Sequence, residues 1–471
     1  MAEQNESSLV PGLNASPTRR DILRAGAAAA LSAFTPRPTA AGHNVRPNFL
    51  FIICDQLHFD VLSAYGNPYI RTPNLDALVR NGTSFHQSHS PNPVCCPARS
   101  CLMTGRMASE TSVTCNGLEQ VKSLGLPETS VRWNQGKIIS SIPNIGQWLR
   151  QNGYETVYCG KWHLPENWPP NEIDGFTVLP VGGGEGSVVD PCTARASAAY
   201  LQTRTGGDPF LLVSSLLQPH DICYWSIYND DLTLKELPTP EMEGLLPPLP
   251  PNHQSRPPAP QILDRSIFTG FSDAQWRYYL YAYYRQVEMV DAEVGRILDA
   301  LESSPHADNT IVVLTSDHGE GAGRHLHVQK WYPYDEALKV PLIISSPRRI
   351  ESGCRDYHHL VSGVDIISTM CDYAGVAVPP HARGYSLRPL LEHKNVEWRD
   401  FIAAEVQVVG RVIRTAQYKY VRYKDDPVEQ LFDMEADPWE TRNLYADSRY
   451  AGVITDHRKL LDEWESRLIV Y

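Results

Sequence analysis

The chain alternates short, continuous apolar runs with segments in which apolar residues recur at helical spacing. Apolar runs lie at residues 48–53, 154–159, 209–217 and 310–316, and helical patterns lie at residues 73–80, 143–151, 276–302 and 364–374. Uninterrupted apolar runs of this length predict strands that are buried on both faces, as in a parallel sheet. The alternation therefore predicts an α/β fold: a large mixed, mostly parallel, doubly wound sheet with helices on both faces.

The pattern changes after Leu391. Residues 401–407 and 411–423 alternate polar and apolar side chains, which indicates antiparallel strands with one face toward solvent. We therefore predict a large domain over residues 44–391 and a smaller C-terminal α+β subdomain with an antiparallel sheet over residues 392–471.

The first 43 residues are predicted to be a targeting segment and linker that does not belong to the folded domain. Arg19 and Arg20 precede a short, Ala-rich apolar run, and small residues follow at Ala40 and Ala41. This order is typical of a twin-arginine export signal and predicts an exported, periplasmic protein. The alternative is an N-terminal tail that carries no targeting information. No run in the chain reaches the about 20 apolar residues of a membrane span.

The net charge and the number of cysteines limit the kinds of ligand and of fold that the chain can have. The chain of 471 residues carries a formal charge of −12, which argues against nucleic acid, because binding to nucleic acid requires a basic surface. An anionic ligand would need a local basic pocket. Ten cysteines in a chain of this length do not form a disulfide framework, and most are expected to be packed thiols.

Polar residues follow each predicted strand of the large sheet. In an open α/β sheet, ligands bind at the carboxyl ends of the strands. Taken singly, each residue has an ordinary explanation: a helix cap, a solvated pair, or a packed core histidine. Two carboxylates, an amide and a histidine that converge from two strands would nevertheless form a site for a hard divalent cation such as Ca²⁺. The residues at the strand ends are Asp55, Gln56, Lys161, His163, His220, Asp317 and His318.

A cysteine motif lies between the first two of these strands. It reads Cys95-Cys96-Pro97-Ala98-Arg99, and Thr104-Gly105-Arg106 follows it. Proline is favoured in the first helical turn, so Cys95 is predicted at a helix N-terminus, where the helix dipole favours an anion. Arg99, one turn further on, can reach the same point. The alternative is an inert, buried cysteine.

These motifs, in this order, resemble the signatures of the type I, formylglycine-dependent sulfatases of the alkaline phosphatase superfamily. The resemblance includes the cysteine motif, the sequence Gly-Lys-Trp-His-Leu at residues 160–164 and a C-terminal signature at residues 431–444. It extends from about Asn48 to Leu444 and implies an alkaline-phosphatase-like fold. Within it, residues 44–391 would be the catalytic sulfatase domain.

The resemblance implies a cofactor and a covalent modification. Cys95 would be converted to formylglycine by a formylglycine-generating or sulfatase-maturating enzyme. One divalent metal, Ca²⁺ in the first place with Mn²⁺ or Mg²⁺ as alternatives, would be bound by residue 95 and four others. Those four are Asp55, Gln56, Asp317 and His318, and Gln56 stands where the family has a second acidic residue.

The resemblance also implies catalytic roles for five further residues. Arg99 and Lys161 would hold the nucleophile and neutralise the substrate oxyanion, and His163 would contact the second hydroxyl of the formylglycine hydrate. His220, together with Lys330, would protonate the leaving oxygen. His325 and His327 lie close to this group in sequence, and we expect them to contact the site residues or the substrate.

The predicted function is hydrolysis of a sulfate ester on a sulfated small molecule or oligosaccharide, most simply a sulfated glycan. The alternatives are a phosphonate monoester or phosphodiester hydrolase of the same superfamily and a non-catalytic, glycan-binding relative. The loop at residues 107–134 and the Pro-rich segment at residues 228–261 are expected to determine substrate specificity, because such loops overhang sites.

Overall fold

The computed structural model describes residues 45–123, 137–164, 171–228, 240–263 and 271–470. Val45–Tyr471 form one compact unit. The predicted export signal lies outside the described residues, as do parts of the two segments expected to determine specificity. Within the described ranges, the helices are too short or too polar to cross a membrane.

An eight-stranded sheet is the centre of the fold. Its strand order is β5-β4-β6-β1-β7-β8-β2-β9. The first five of these strands are mutually parallel, and β8 runs antiparallel to both β7 and β2. The strands are β1 (Asn48–Asp55), β2 (Gly82–Phe85), β4 (Glu155–Gly160), β5 (Thr177–Leu179), β6 (Phe210–Pro219), β7 (Thr310–Ser316), β8 (Leu342–Ser345) and β9 (Cys354–Asp356). Two short strands, β3 (Ser88–His89) and β10 (Val361–Ser362), pair separately.

Helices cover both faces of this sheet, as the apolar pattern of β1 requires. Phe49, Phe51 and Ile53 pack on one face, whereas Leu50 and Ile52 pack on the other. The first face is covered mainly by α2 (Cys95–Thr104), α5 (Ile145–Gln151) and α11 (Asp365–Ala374), and the second by α1 (Pro73–Asn81), α6 (Gly186–Thr203) and α9 (Asp273–Glu302). The remaining short helices that precede the C-terminal sheet are α3 (Ala108–Thr111), α4 (Leu118–Ser123), α7 (Ile222–Tyr228), α8 (Pro240–Glu243), α10 (Asp335–Leu338) and α12 (Arg388–Leu391).

The C-terminal part forms the expected antiparallel sheet. Its order is β11-β12-β13-β14, and the strands are β11 (Phe401–Val406), β12 (Gly410–Thr415), β13 (Tyr418–Tyr423) and β14 (Gln430–Asp433). One face packs against Tyr332, Tyr334 and Leu338, and the other against the last helix, α13 (Ala451–Ser466). The predicted fold class is confirmed. The boundary at residue 391 stays a prediction.

Helix α6 is not predicted by the apolar pattern. Its buried positions follow helical spacing, but small or polar residues such as Gly186, Thr193 and Ser197 occupy many of them. Pro191 also lies inside the helix. Tight packing on β6 therefore selects small side chains, and the usual hydrophobic signal of an amphipathic helix is weak.

Candidate active site

The carboxyl ends of four parallel strands meet at one edge of the sheet and carry the candidate residues. β1 ends at Asp55, and Lys161 follows β4 directly. His220 follows the last residue of β6, and Asp317 follows the last residue of β7. The structure thus brings together, at one sheet edge, residues that are up to 262 positions apart in the chain.

Cys95 lies in the middle of this group. It is the first residue of α2 and is completely buried. Its Sγ lies 2.8 Å from the Nζ of Lys330, 3.1 Å from the Nε2 of His318 and 3.8 Å from the Oδ1 of Asp55. The side chain at position 95 is therefore within reach of both cationic and carboxylate groups.

Arg99 links the two aspartates. Its Nε donates to the Oδ2 of Asp317 at 2.8 Å, and its Nη2 donates to the Oδ2 of Asp55 at 2.9 Å. Its Nη1 donates to the carbonyl of Lys161 and to the Oγ of Ser215, both at 2.9 Å. The planar guanidinium thus holds the ends of β1, β4, β6 and β7 in fixed relation, which a point-like ammonium could not do.

Lys161 and the two histidines complete the group. The Nζ of Lys161 lies 2.7 Å from the Oδ2 of Asp55. Desolvation lowers the pKa of the His163 and His220 rings, and the neighbouring side chain of Cys95 acts in the opposite direction on both. The Nδ1 atoms of both rings are buried without a hydrogen-bond partner in the part of the chain that the structure describes. Buried ring nitrogens of this kind are positioned to accept or donate a proton when a ligand enters.

The donor atoms suit a hard divalent cation. Ligand atoms of Asp55, Cys95, Asp317 and His318 all lie within 4.8 Å of one another. The Nδ1 of His318 lies 2.8 Å from the carbonyl of Gly319, so in the neutral ring, the form that binds a metal, this nitrogen carries the proton and the Nε2 lone pair faces the cluster. Two carboxylates and one imidazole, with the amide oxygen of Gln56 nearby, match the ligand preferences of Ca²⁺, Mn²⁺ or Mg²⁺.

The charges around Cys95 change its acidity. Burial and Asp55 raise the pKa of the thiol, but Lys330, Lys161 and His318 outweigh them and lower this pKa well below its usual value. For His220, desolvation together with Lys161 and Lys330 lowers the pKa to about 4. His220 is therefore neutral at pH 7, and an anion that enters the site would favour its protonated form.

Two residues at the site are not predicted by the sequence pattern. Ser215 lies inside the apolar run of β6, where a single serine gives no signal, yet its hydroxyl holds Arg99. Glu320 directly follows the Asp-His-Gly sequence after β7 and accepts a short hydrogen bond from the side chain of Gln56. Its position beside two candidate metal ligands is a signal that could have identified it.

The structure places His325 and His327 against residues of the segment between β7 and β8, and their expected contact with the substrate stays a prediction. The Nδ1 of His325 lies 2.8 Å from the Oε1 of Glu336, and the ring stacks on Tyr334. The ring of His327 stacks on Tyr332 with centroids 3.8 Å apart. These contacts explain both residues as parts of the packed segment between β7 and β8.

Comparison with known proteins gives a family match over most of the chain. Residues 47–376 match the family model described as Sulfatase, and residues 323–467 match the model described as N-sulphoglucosamine sulphohydrolase, C-terminal. The chain is 32% identical to a Δ4,5-hexuronate-2-O-sulfatase of Bacteroides thetaiotaomicron, over 91% of this chain and 90% of that protein.

Solved structures share the fold. A structure described as a 2-O GAG sulfatase superposes with a TM-score of 0.75 at 29% identity and covers 90% of this chain and 92% of its own. A phosphonate monoester hydrolase of Agrobacterium radiobacter superposes with a TM-score of 0.69 at 24% identity, over 90% of this chain and 96% of its own. The latter likeness concerns the fold alone.

Proposed function

Because the chain belongs to the sulfatase family of sulfuric ester hydrolases, we propose that it removes a sulfate group from a sulfated glycan, with residue 95 as the nucleophile. The observation that carries this proposal is the position of Cys95. Its side chain lies at a helix N-terminus, in contact with Lys330 and His318 and within 3.8 Å of Asp55. The sugar class follows from the relatives, whose names specify a hexuronate and a GAG.

The chain supplies the positive charge that the reaction requires. A sulfate monoester has anionic oxygens and a poor leaving alkoxide, so hydrolysis needs charge neutralisation and a proton for the departing oxygen. Arg99, Lys161 and Lys330 place three cationic groups around residue 95. They would bind the sulfate group in a chain whose overall charge is −12.

Two histidines are available for proton transfer. His220, beside the cationic Lys330, would become protonated as the sulfate group enters and would donate to the leaving oxygen. His163, two residues after Lys161, would accept a proton from the side chain of residue 95. The unpartnered Nδ1 atoms of both rings, among the described residues, support these roles.

Two groups that the sulfatase family implies fit these residues. Formylglycine, made from Cys95 by a formylglycine-generating or sulfatase-maturating enzyme, would supply a geminal hydroxyl as the attacking group. A divalent cation, Ca²⁺ in the first place, would be held by Asp55, Gln56, Asp317, His318 and residue 95 and would act as a Lewis acid on the sulfate. Arg99 would orient both aspartates for this purpose.

The cellular setting is part of the same proposal. The Arg19-Arg20 pair and the Ala-rich run after it support twin-arginine export to the periplasm. This route carries folded proteins, so the modification and the metal site could be completed before export. Fractionation of cells that express the full chain, compared with a variant in which both arginines are lysine, tests this point.

The decisive experiment is a paired assay of sulfate and phosphate release. The full chain, co-expressed with a formylglycine-generating enzyme, is incubated with an aryl sulfate, the matching aryl phosphate and sulfated oligosaccharides that include an unsaturated, 2-O-sulfated uronate. We expect sulfate release from at least one sulfated sugar. Release of phosphate alone would instead support the phosphonate or phosphodiester hydrolase alternative, and an unmodified Cys95 in matured protein would support the non-catalytic one.

Variants at position 95 test the nucleophile. Cys95→Ala should abolish sulfate release. Cys95→Ser cannot become formylglycine in this maturation system and has only one hydroxyl, so it should stop after one turnover with a sulfate ester on the substituted side chain. Mass spectrometry of the intact protein detects this ester. Full turnover by Cys95→Ser would contradict the assignment.

A further inference from the structure

Glu320 is a buried carboxylate with four uncharged hydrogen-bond donors. It is completely buried, three residues beyond Asp317. Its Oε1 accepts hydrogen bonds from the hydroxyl of Tyr279 at 2.6 Å, from the backbone N–H of Gln329 at 2.7 Å and from that of Ala322 at 3.1 Å. Its Oε2 accepts a short hydrogen bond from the side-chain amide of Gln56. The carboxylate is thus fixed on one oxygen and directed at Gln56 with the other.

This arrangement determines which end of the Gln56 amide faces the candidate metal site. The Nε2 of Gln56 points to Glu320, and its Oε1 accepts a hydrogen bond from the Nζ of Lys330 at 3.0 Å. Lys330 in turn lies 2.8 Å from the Sγ of Cys95, so the amide oxygen faces the cluster. The reverse orientation would set an oxygen against the carboxylate and an NH₂ group against the ammonium. In a buried site neither repulsion is screened by water.

The backbone of Gln56 is held as firmly as its side chain. Its N–H donates to the Oδ1 of Asp317 at 3.1 Å, and its carbonyl accepts from the hydroxyl of Tyr283 at 2.7 Å. Its φ of +70° lies in the left-handed region, which a glutamine adopts only when the surroundings require it. Both the chain and the amide of Gln56 are therefore placed by neighbours that are themselves buried.

We propose that Glu320 is a positioning residue: it orients the neutral amide of Gln56 so that the amide oxygen becomes a ligand of the divalent metal. The inference rests on the metal centre of the proposed function. It assigns to Glu320 an action through Gln56, with no contact to substrate. Outer hydrogen-bond partners of this kind set the orientation of metal ligands and change metal affinity by about 10–100-fold when they are replaced.

The test uses an exchange of the two side chains, which have the same length. In Glu320→Gln, the new amide NH₂ faces Gln56, so Gln56 turns its oxygen away from the metal, and the Kd for Ca²⁺ should rise by about 10–100-fold. The double variant Gln56→Glu/Glu320→Gln keeps the total charge and reverses the direction of the hydrogen bond. A carboxylate oxygen then faces the metal, and the affinity should return close to that of the wild type.

The measurement is calorimetric titration of Ca²⁺, with Mn²⁺ and Mg²⁺ in parallel, into the full-length, matured protein after its metal has been removed by a chelator. The shift of Tm with added metal gives a second readout. Glu110→Gln is the matched control, because Glu110 is also a fully buried carboxylate but pairs with Arg383. It should lower Tm and leave the Kd for metal unchanged.

Each outcome decides one question. Weaker binding by Glu320→Gln together with recovery in the exchanged pair supports the positioning role. Wild-type affinity in Glu320→Gln, or a folded exchanged pair that does not recover, overturns the role but leaves the proposed metal centre standing. Failure of the wild type to bind any of the three metals contradicts the metal centre itself, and the role of Glu320 falls with it.

Discussion

Arg99 shows at the scale of one residue how the site depends on shape as well as charge. Its guanidinium contacts two carboxylates, a hydroxyl and a backbone carbonyl, and it is 1% exposed. Four acceptors in different directions match a planar fork of donors. A lysine at this position would keep the charge but could satisfy only part of this set.

We therefore expect Arg99→Lys to lose most of its activity even though the substitution keeps the positive charge. The value of kcat/KM for sulfate release should fall about 10²–10³-fold, as for loss of an aligned donor to a reacting anion. The unsatisfied buried acceptors should also reduce the free energy of unfolding by about 1–3 kcal/mol. Steady-state kinetics and thermal unfolding measure the two effects.

A matched control is available on the surface. Arg422 also bridges two carboxylates, those of Asp462 and Glu465, but its side chain is 29% exposed. Exposed ion pairs contribute little, so Arg422→Lys should leave both activity and stability close to wild type. Equal effects of the two substitutions would contradict the importance of the buried fork.

Some residues of the candidate site can be predicted from the sequence and others cannot, and the difference has a physical reason. Asp55, Lys161, His220 and Asp317 are recognisable because each lies close behind the end of an apolar run, and parallel strands bring such ends together. Ser215 and Glu320 act through hydrogen bonds to other side chains. Their partners are distant in the chain, so the relevant geometry exists only after folding.

At the scale of secondary-structure elements, the close contact between β4 and β6 positions Lys161. Gly160 has a φ of +98°, and a Cβ at this residue would lie 2.0 Å from the carbonyl oxygen of Ser215. That carbonyl accepts a hydrogen bond from the backbone N–H of Lys161 at 2.9 Å. Glycine is therefore required both for the backbone conformation and for the approach of the two strands.

Gly160→Ala should consequently displace both Lys161 and Ser215. We expect a loss of more than about 4 kcal/mol in the free energy of unfolding, since strain and overpacking act together, and no measurable sulfatase activity in the protein that remains folded. Gly182→Ala is the control, because Gly182 also has a positive φ, +78°, but a Cβ added there would meet nothing within 4 Å among the described residues. It should cost about 1 kcal/mol from the conformation alone. Similar stability of the two variants would argue against close strand packing as the cause.

Helices and strands are easier to predict from the sequence when their buried positions carry large apolar side chains and their exposed positions carry polar ones. β7 matches its predicted range, Thr310–Ser316, because an apolar run of 7 residues rich in β-branched side chains is typical of a buried strand and short for a buried helix. Helix α6 escapes prediction, since its buried side includes Thr193, Ser197 and Ala198. Its helical conformation follows from packing against β6, which is a tertiary effect that local pattern does not contain.

At the scale of the whole molecule, the candidate site gathers positively charged side chains although the net charge of the chain is negative. The formal charge is −12, yet Arg99, Lys161 and Lys330 are buried together at the end of the large sheet. An acidic surface disfavours nonspecific association with polyanions, whereas in the proposed function the interior cations would bind a single sulfate group. The sequence predicts the need for such a pocket, and the fold forms it from the end of β4 (Lys161), helix α2 (Arg99) and the segment between β7 and β8 (Lys330).

A buried lysine joins the C-terminal sheet to the segment between β7 and β8. Lys419, on β13 of the C-terminal sheet, is completely buried, and its Nζ lies 2.8 Å from the Oδ1 of Asp335 and 2.5 Å from the Oε1 of Glu440. Asp335 begins α10, five residues after Lys330. Lys419 of the C-terminal sheet thus neutralises a carboxylate five residues after Lys330, a residue of the candidate active site.

We expect Lys419→Met to destabilise the whole molecule and to reduce activity. Removal of the cation leaves two buried carboxylates without their main counter-ion, which should lower the free energy of unfolding by about 3–5 kcal/mol. Because the carboxylate of Asp335 would then be more stable in contact with water, the segment from Lys330 to Asp335 should move, and kcat/KM should fall as well.

Addition of Asp335→Asn to this variant removes one of the two charges and should recover part of the stability. Lys459→Met, at a lysine whose side chain is 77% exposed, is the control and should change neither quantity. Thermal unfolding and sulfate release are measured on all three variants. A stable but inactive Lys419→Met would mean that the C-terminal sheet affects the site by another contact. A stable and active Lys419→Met would mean that neither stability nor activity depends on this ion triad.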